Sequence, residues 1–164
     1  METIRGLTPI QMEVVVVTVS HGNKCFYCTL GHLVALQMTA NRKGFMVEPI
    51  AIVDPETDSG IPGGRELIAL AQSAVSISPD PAPVARVAAV LGEEAAVTAA
   101  EVASAFMMIN RIVEATGQPA LTKQSERMQP ALERLGAMDF PHSGLTTTLD
   151  KPGTLKRVAS RLKA

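Results

Sequence analysis

An all-α fold, a bundle of about six helices, is predicted for this 164-residue chain by three observations. Helix start and stop signals recur along it, with Thr, Pro or Ser before apolar stretches and Gly after them. Apart from one valine run, nothing suggests a strand, because no later segment alternates apolar and polar residues with a period of two. Aromatic side chains are scarce, with no Trp, one Tyr and four Phe. Ala, Val, Leu and Met must therefore fill the interior, which suits helices packed closely through small side chains better than a β-sandwich.

The first helix opens in "LTPIQMEVVVVTVS", with Thr8 as N-cap and Pro9 at the first helical position, where a missing N–H costs nothing. "HGN" stops it, Gly22 or Asn23 being able to take the left-handed conformation. Four β-branched residues in a row lose rotamer freedom in a helix. A helix buried on most sides tolerates that loss, and no partner strand is in sight, so the valine run is assigned to helix. A second helix starts at about 23–25 and runs to 39. Gly and Pro break residues 41–64 into loop with one short turn. Helices follow at 65–76 and 81–92, the latter ending at Gly92. The longest spans 98–117, with Thr98 as N-cap, Glu101 completing a capping box and Gly117 as stop. A sixth, at 123–138, is kinked or restarted at Pro130. From Asp139 onward irregular chain and a short basic helix are expected.

The formal net charge of −1 offers no electrostatic case for nucleic acid or an anionic membrane. The basic residues Lys151, Lys156, Arg157, Arg161 and Lys163 are read as a solvated tail. No apolar run is judged to approach the roughly 20 residues of a membrane helix, and the N-terminus carries charge where a signal core would lie. The expected location is the cytoplasm. The two cysteines are too close together to staple a secreted scaffold, so they are read as reactive or metal-binding.

Those cysteines concentrate the chemistry. Cys25, Cys28 and His32 stand at i, i+3 and i+7, on one face of a helix. Thiols three apart on a helix have the Cα separation that a disulfide needs, about 4.4 to 6.8 Å. A helix N-terminus and a neighbouring imidazole both favour thiolate over thiol. His32, one turn beyond Cys28, is placed to accept or relay its proton. Glu13 is a lone charge in an apolar helix, and folding back across "HGN" would bring it to the cluster. His21 is assigned to a helix end, His142 to a loop, and Met107 and Met108 to core or interface filling. Tyr27 either covers the thiols or packs.

The pattern of Glu13, eleven residues, Cys25, two residues, Cys28, three residues, His32 resembles the redox motif of the alkylhydroperoxidase D-like branch of the carboxymuconolactone decarboxylase family. "CFYC" and the later "MMINRIVEATG" add to the likeness, which spans about residues 7 to 117. A histidine often found before the second cysteine in the founding enzymes is Tyr27 here. The resemblance implies a single helical domain over 1–164, with its motif-bearing core at about 7–117 and a C-terminal helix and tail at about 118–164. It implies a homo-oligomer and an antioxidant dithiol peroxidase that needs no cofactor or metal. The partners are a hydroperoxide substrate and an unidentified thiol or dithiol reductant, with no nucleic acid and no membrane. Carried over residue by residue, Cys28 is the peroxidatic thiol, Cys25 the resolving one, and Glu13 and His32 the proton relay. The decarboxylase branch lacks this cysteine pair.

Three other readings compete. A non-catalytic zinc-binding or interaction module would use Cys25, Cys28 and His32, with Glu13, His21 or His142 as fourth ligand, although structural zinc usually takes two separated ligand pairs. A thioredoxin-like exchanger needs strands that the sequence does not offer. A purely structural protein would bury both cysteines as small hydrophobes.

Overall fold

The valine run forms the centre of the molecule. In the structure, a computed structural model that describes residues 3–147, α1 (Pro9–Gly22) packs against three other helices. Val14, Val15, Val16, Val17 and Val19 are all buried. Each fully buried valine contributes about 1.5–3 kcal/mol, which offsets the rotamer freedom it loses in a helix. Thr8 caps α1 as the sequence predicts, and a capping box forms: the Gln11 backbone N–H donates to Thr8 Oγ1 at 3.3 Å and the Thr8 backbone N–H donates to Gln11 Oε1 at 2.9 Å.

The stop after α1 differs in detail. Neither Gly22 nor Asn23 is left-handed; Lys24 takes the positive φ of 56° instead. Gly22 serves closeness, since a Cβ there would lie 2.6 Å from Val75 Cγ2.

Helix α2 (Phe26–Lys43) folds back along α1, with Cys25 as its N-cap, and ends at Gly44 in the left-handed region. A short 3-10 turn, Pro49–Ile52, interrupts the loop that follows. Gln11 and Gln72 pin this loop by donating to the carbonyls of Pro62 and Ile52. Helices α3 (Gly64–Ala74) and α4 (Ala82–Leu91) come next and pack on each other. Helix α5 (Glu93–Thr116) lies against α1, α3 and α4 and ends at a left-handed Gly117.

Helix α5 corrects two expectations. It begins at Glu93, so Thr98 is no cap: Glu93 and Glu94 occupy the first turn, where the helix dipole favours acidic groups. Thr98 Oγ1 donates to the Arg5 carbonyl at 2.7 Å, and Glu101 pairs with Arg5 at 2.7 Å. Both residues thus tie down the N-terminal segment. Continuous with residues 93–97, α5 is also long and apolar enough to cross a membrane by length and composition alone. It is the one such helix among the described residues.

Helix α6 (Thr122–Arg134) runs through Pro130 and packs on α2. A 3-10 turn, Ala137–Asp139, follows the left-handed Gly136. The chain after it is more ordered than the sequence suggests. Strand β2 (Thr146–Thr147) pairs in parallel with β1 (Ala120–Leu121), Ala120 opposite Thr146. Ala120 N–H also donates to the Leu145 carbonyl at 2.8 Å. The basic tail and the short basic helix expected for it lie outside the described residues. The fold is all-α, with six α-helices among the described residues, and one continuous core of Val, Leu, Ile and Ala joins α1, α2, α3 and α5, with Phe26 its largest fully buried side chain.

Candidate active site

The corner between α1 and α2 brings the four motif residues together. Cys25 ends the turn: its backbone N–H donates to the Ser20 carbonyl at 3.0 Å, and its own carbonyl receives the Thr29 N–H at 2.9 Å. It is therefore a cap residue in extended conformation, and not the first member of a helical face. Cys28 is the third residue of α2 and His32 lies one turn further along. The antiparallel return of α2 delivers His32 to Glu13 on α1, Nδ1 and Oε2 being 2.8 Å apart. Both side chains are about three-quarters buried, with exposures of 28% and 25%. The imidazole also meets the Phe106 ring of α5 edge-on, with centroids 4.9 Å apart. A carboxylate below and an aromatic ring beside it thus hold the imidazole in one orientation.

The two thiols are not equivalent. No disulfide joins them in this structure; Cys25 is fully buried and Cys28 is 4% exposed. Cys28 lines a cavity of about 400 Å³ with Tyr27, His32, Phe106, Val113 and Gln124, whereas Cys25 does not reach it. A hydrogen bond from the Cys25 thiol to the Cys28 sulfur pushes them apart in acidity. It is the largest influence on each: it holds the Cys28 thiol below its ordinary value and the Cys25 thiol far above. Burial opposes the effect at Cys28 and adds to it at Cys25. Glu114 works in the same upward sense on both, through a hydrogen bond at Cys25 and through its charge at Cys28. The resulting arrangement is one more acidic thiol, facing a cavity, beside one that holds its proton more tightly. Lying nearest the start of the helix would have favoured Cys25 as nucleophile; the tertiary arrangement favours Cys28.

Several residues at the site carry no motif signal. Phe106, Asn110 and Glu114 come from α5, and Gln124 from α6. Ser20 Oγ donates to Asn110 Oδ1 at 3.3 Å, which docks α5 on the cysteine corner. Asn110 and Glu114 lie four apart within "MMINRIVEATG", a spacing that puts them on one face of the helix. His142 was assigned to a loop; it sits in a turn, with a left-handed φ of 62°, and its Nδ1 lies 3.1 Å from Glu114 Oε2. His21 closes α1, as expected of a helix-end residue, and its Nε2 meets the Leu135 carbonyl at 2.8 Å, away from the thiols. Met107 packs partly against the core, while Met108 is exposed. Tyr27 is partly exposed on the cavity wall.

Buried polar atoms without a protein partner also gather here. They are Asn23 Nδ2, Thr29 Oγ1 and Asn110 Nδ2 among the described residues. Such atoms are rare in folded interiors and mark places where polarity serves something other than packing. Among the described residues, no three His, Cys, Asp or Glu side chains converge in a way that could hold a metal ion. His32 Nδ1 is already engaged by Glu13, and the Cys28 sulfur by the Cys25 proton.

Compared with known proteins, the chain matches no family model, no curated protein and no solved structure.

Proposed function

We propose that this chain is a dithiol oxidoreductase that reduces hydroperoxides with Cys28 as the attacking thiolate and Cys25 as the resolving thiol. The observation that carries the reading is the asymmetry of the pair: a depressed Cys28 facing a cavity shared with His32, and a protonated, enclosed Cys25 bonded to it. In the first step Cys28 Sγ attacks the terminal peroxide oxygen. The O–O bond breaks, the leaving alkoxide takes a proton through the His32–Glu13 pair, and Cys28 becomes a sulfenic acid. Cys25 then attacks Cys28 Sγ, hydroxide leaves and is protonated to water, and an intramolecular disulfide remains. An external thiol or dithiol returns the pair to its reduced state. The cavity's wall of Phe106, Ile109 and Val113 favours a small or partly apolar hydroperoxide.

Because each cycle ends by reduction of a disulfide, the reading places the protein in a reducing compartment, the cytoplasm. Exposed Val97, Met108 and Ile112 on α5 support a homo-oligomer that covers them. Light scattering at micromolar concentration then gives at least a dimer.

The deciding experiment is thiol counting with mass analysis. Two free thiols after reduction, none after one equivalent of hydroperoxide, one alcohol formed per disulfide and an unchanged chain mass less two hydrogens support the assignment. Thiols that survive the peroxide, or a product found only as cross-linked chains, would remove it.

A further inference from the structure

Two carboxylate–imidazole pairs flank the thiols. His32, paired with Glu13, lines the cavity with Cys28, and a second pair is formed by residues 114 and 142. Its placement follows from the fold. Asn110, fully buried, receives the Ser20 hydroxyl, and Ser20 in turn holds the Cys25 backbone. Glu114 lies one turn further along α5 and acts on both thiols, as a hydrogen-bond acceptor for Cys25 and through its charge on Cys28. The turn that carries His142 is clamped by the β1–β2 pairing and by the Leu145 N–H to His142 carbonyl bond of 2.9 Å. His142 takes a left-handed φ of 62°, a conformation that residues other than glycine hold where a side chain must be aimed. Here it accompanies an imidazole set 3.1 Å from the Glu114 carboxylate. Exposure rises outward from none at Cys25, through 22% at Glu114, to 37% at His142.

We infer that Glu114 is the base that takes the Cys25 proton during disulfide closure, and that His142 is a positioning residue that orients Glu114 and passes the proton to solvent. This rests on the dithiol reading above and extends it to the resolving half-reaction. When Cys28 is part of a mixed disulfide or a sulfenic acid, it no longer accepts the Cys25 proton. The Cys25 S–H bond then breaks toward the Glu114 carboxylate, and a Cys25–Cys28 S–S bond forms. The bond from Cys28 to its leaving group breaks, and the electron pair departs with that group. The carboxylate has two opposing effects, since its charge disfavours a Cys25 thiolate while its lone pair accepts the proton. For a thiol sealed from hydroxide and bulk water, proton acceptance controls the rate.

The test uses 2,2′-dithiodipyridine on the reduced full-length chain, in single turnover. Release of the first pyridinethione reports attack by Cys28; release of the second reports closure by Cys25. Glu114→Gln should slow the second release at least about tenfold, within the range of positioned acid–base groups, and leave the first within about threefold. Glu114→Asp should recover part of the loss, and His142→Gln should slow the second release alone by a few-fold. A second release that is unchanged or faster in Glu114→Gln would overturn the assignment, as would equal slowing of both phases. Should Glu114→Gln fail to fold, the same criteria apply to His142→Gln. The oxidant is a disulfide, so a protein inert to hydroperoxide that still shows the Glu114-dependent phase would lose its peroxidase role and keep this one.

Discussion

Replacing Cys25 tests what sets the acidity of Cys28. In the folded protein the depression of Cys28 comes first from the Cys25 hydrogen bond, and burial together with the Glu114 charge opposes it. A hydrogen bond to a charged group contributes about 1.5–3 kcal/mol. At about 1.4 kcal/mol per factor of ten, losing it should slow reactions of the thiolate, below the midpoint, about ten- to hundredfold. Cys25→Ala removes the donor and leaves both opposing influences in place. The Cys28 midpoint should then rise. Cys25→Ser keeps an O–H donor at the same position and should hold most of the depression. The assay is the pH dependence of iodoacetamide alkylation, checked by the ultraviolet absorbance of the thiolate. In either variant Cys28 is the sole cysteine, so the readout is unambiguous; in the parent chain, mass analysis locates the label. If the Ala and Ser variants share the parent midpoint, the thiol pair is not what holds Cys28 ionised. If both rise alike, the hydrogen bond is not the agent and the loss of volume is.

Glu13→Gln should slow hydroperoxide consumption about tenfold or more, because His32 loses the carboxylate 2.8 Å away that orients it. The Cys28 midpoint should stay where it is, since neither Glu13 nor His32 is among the influences on its charge; a shifted midpoint would contradict this division of labour. Gly22→Ala should destabilise the fold by about 1–3 kcal/mol in urea unfolding, because the added Cβ meets Val75 Cγ2 at 2.6 Å. A gain in stability, as helix propensity alone would give, refutes that contact. Stability against pH should peak near the ordinary thiol range. Below it the unfolded chain binds more protons than native Cys28, so stability falls as pH drops through the depressed Cys28 value; above it native Cys25 keeps a proton that the unfolded chain loses, so stability falls again. Cys25→Ala should remove the decline on the alkaline side, and calorimetry across pH reads it.

The helices were legible because their signals are local. Thr8 and Pro9 open α1 and Gly117 closes α5 through backbone requirements that involve only near neighbours. The fixed spacing of Glu13, Cys25, Cys28 and His32 identified the corner for the same reason, once a helix–break–helix was assumed. Where a local signal had two uses, the sequence misled. Thr98 and Glu101 have the form of a capping box, but Arg5, distant in sequence, claims both, and the helix starts earlier at Glu93. What only the tertiary structure supplied is a physical reason for Cys28, which the resemblance had named by analogy, to be the more acidic thiol. Spacing made Cys25 and Cys28 a pair and could not rank them. The ranking depends on a cavity that only Cys28 lines, on burial that encloses Cys25, and on Glu114, which arrives from a helix about ninety residues downstream. His142, assigned to a loop in the linear chain, reaches Glu114 because a two-residue strand pairing brings the C-terminal segment back to the bundle. Electrostatic influence falls with distance in space, so no reading along the chain could have weighed it before the helices were packed.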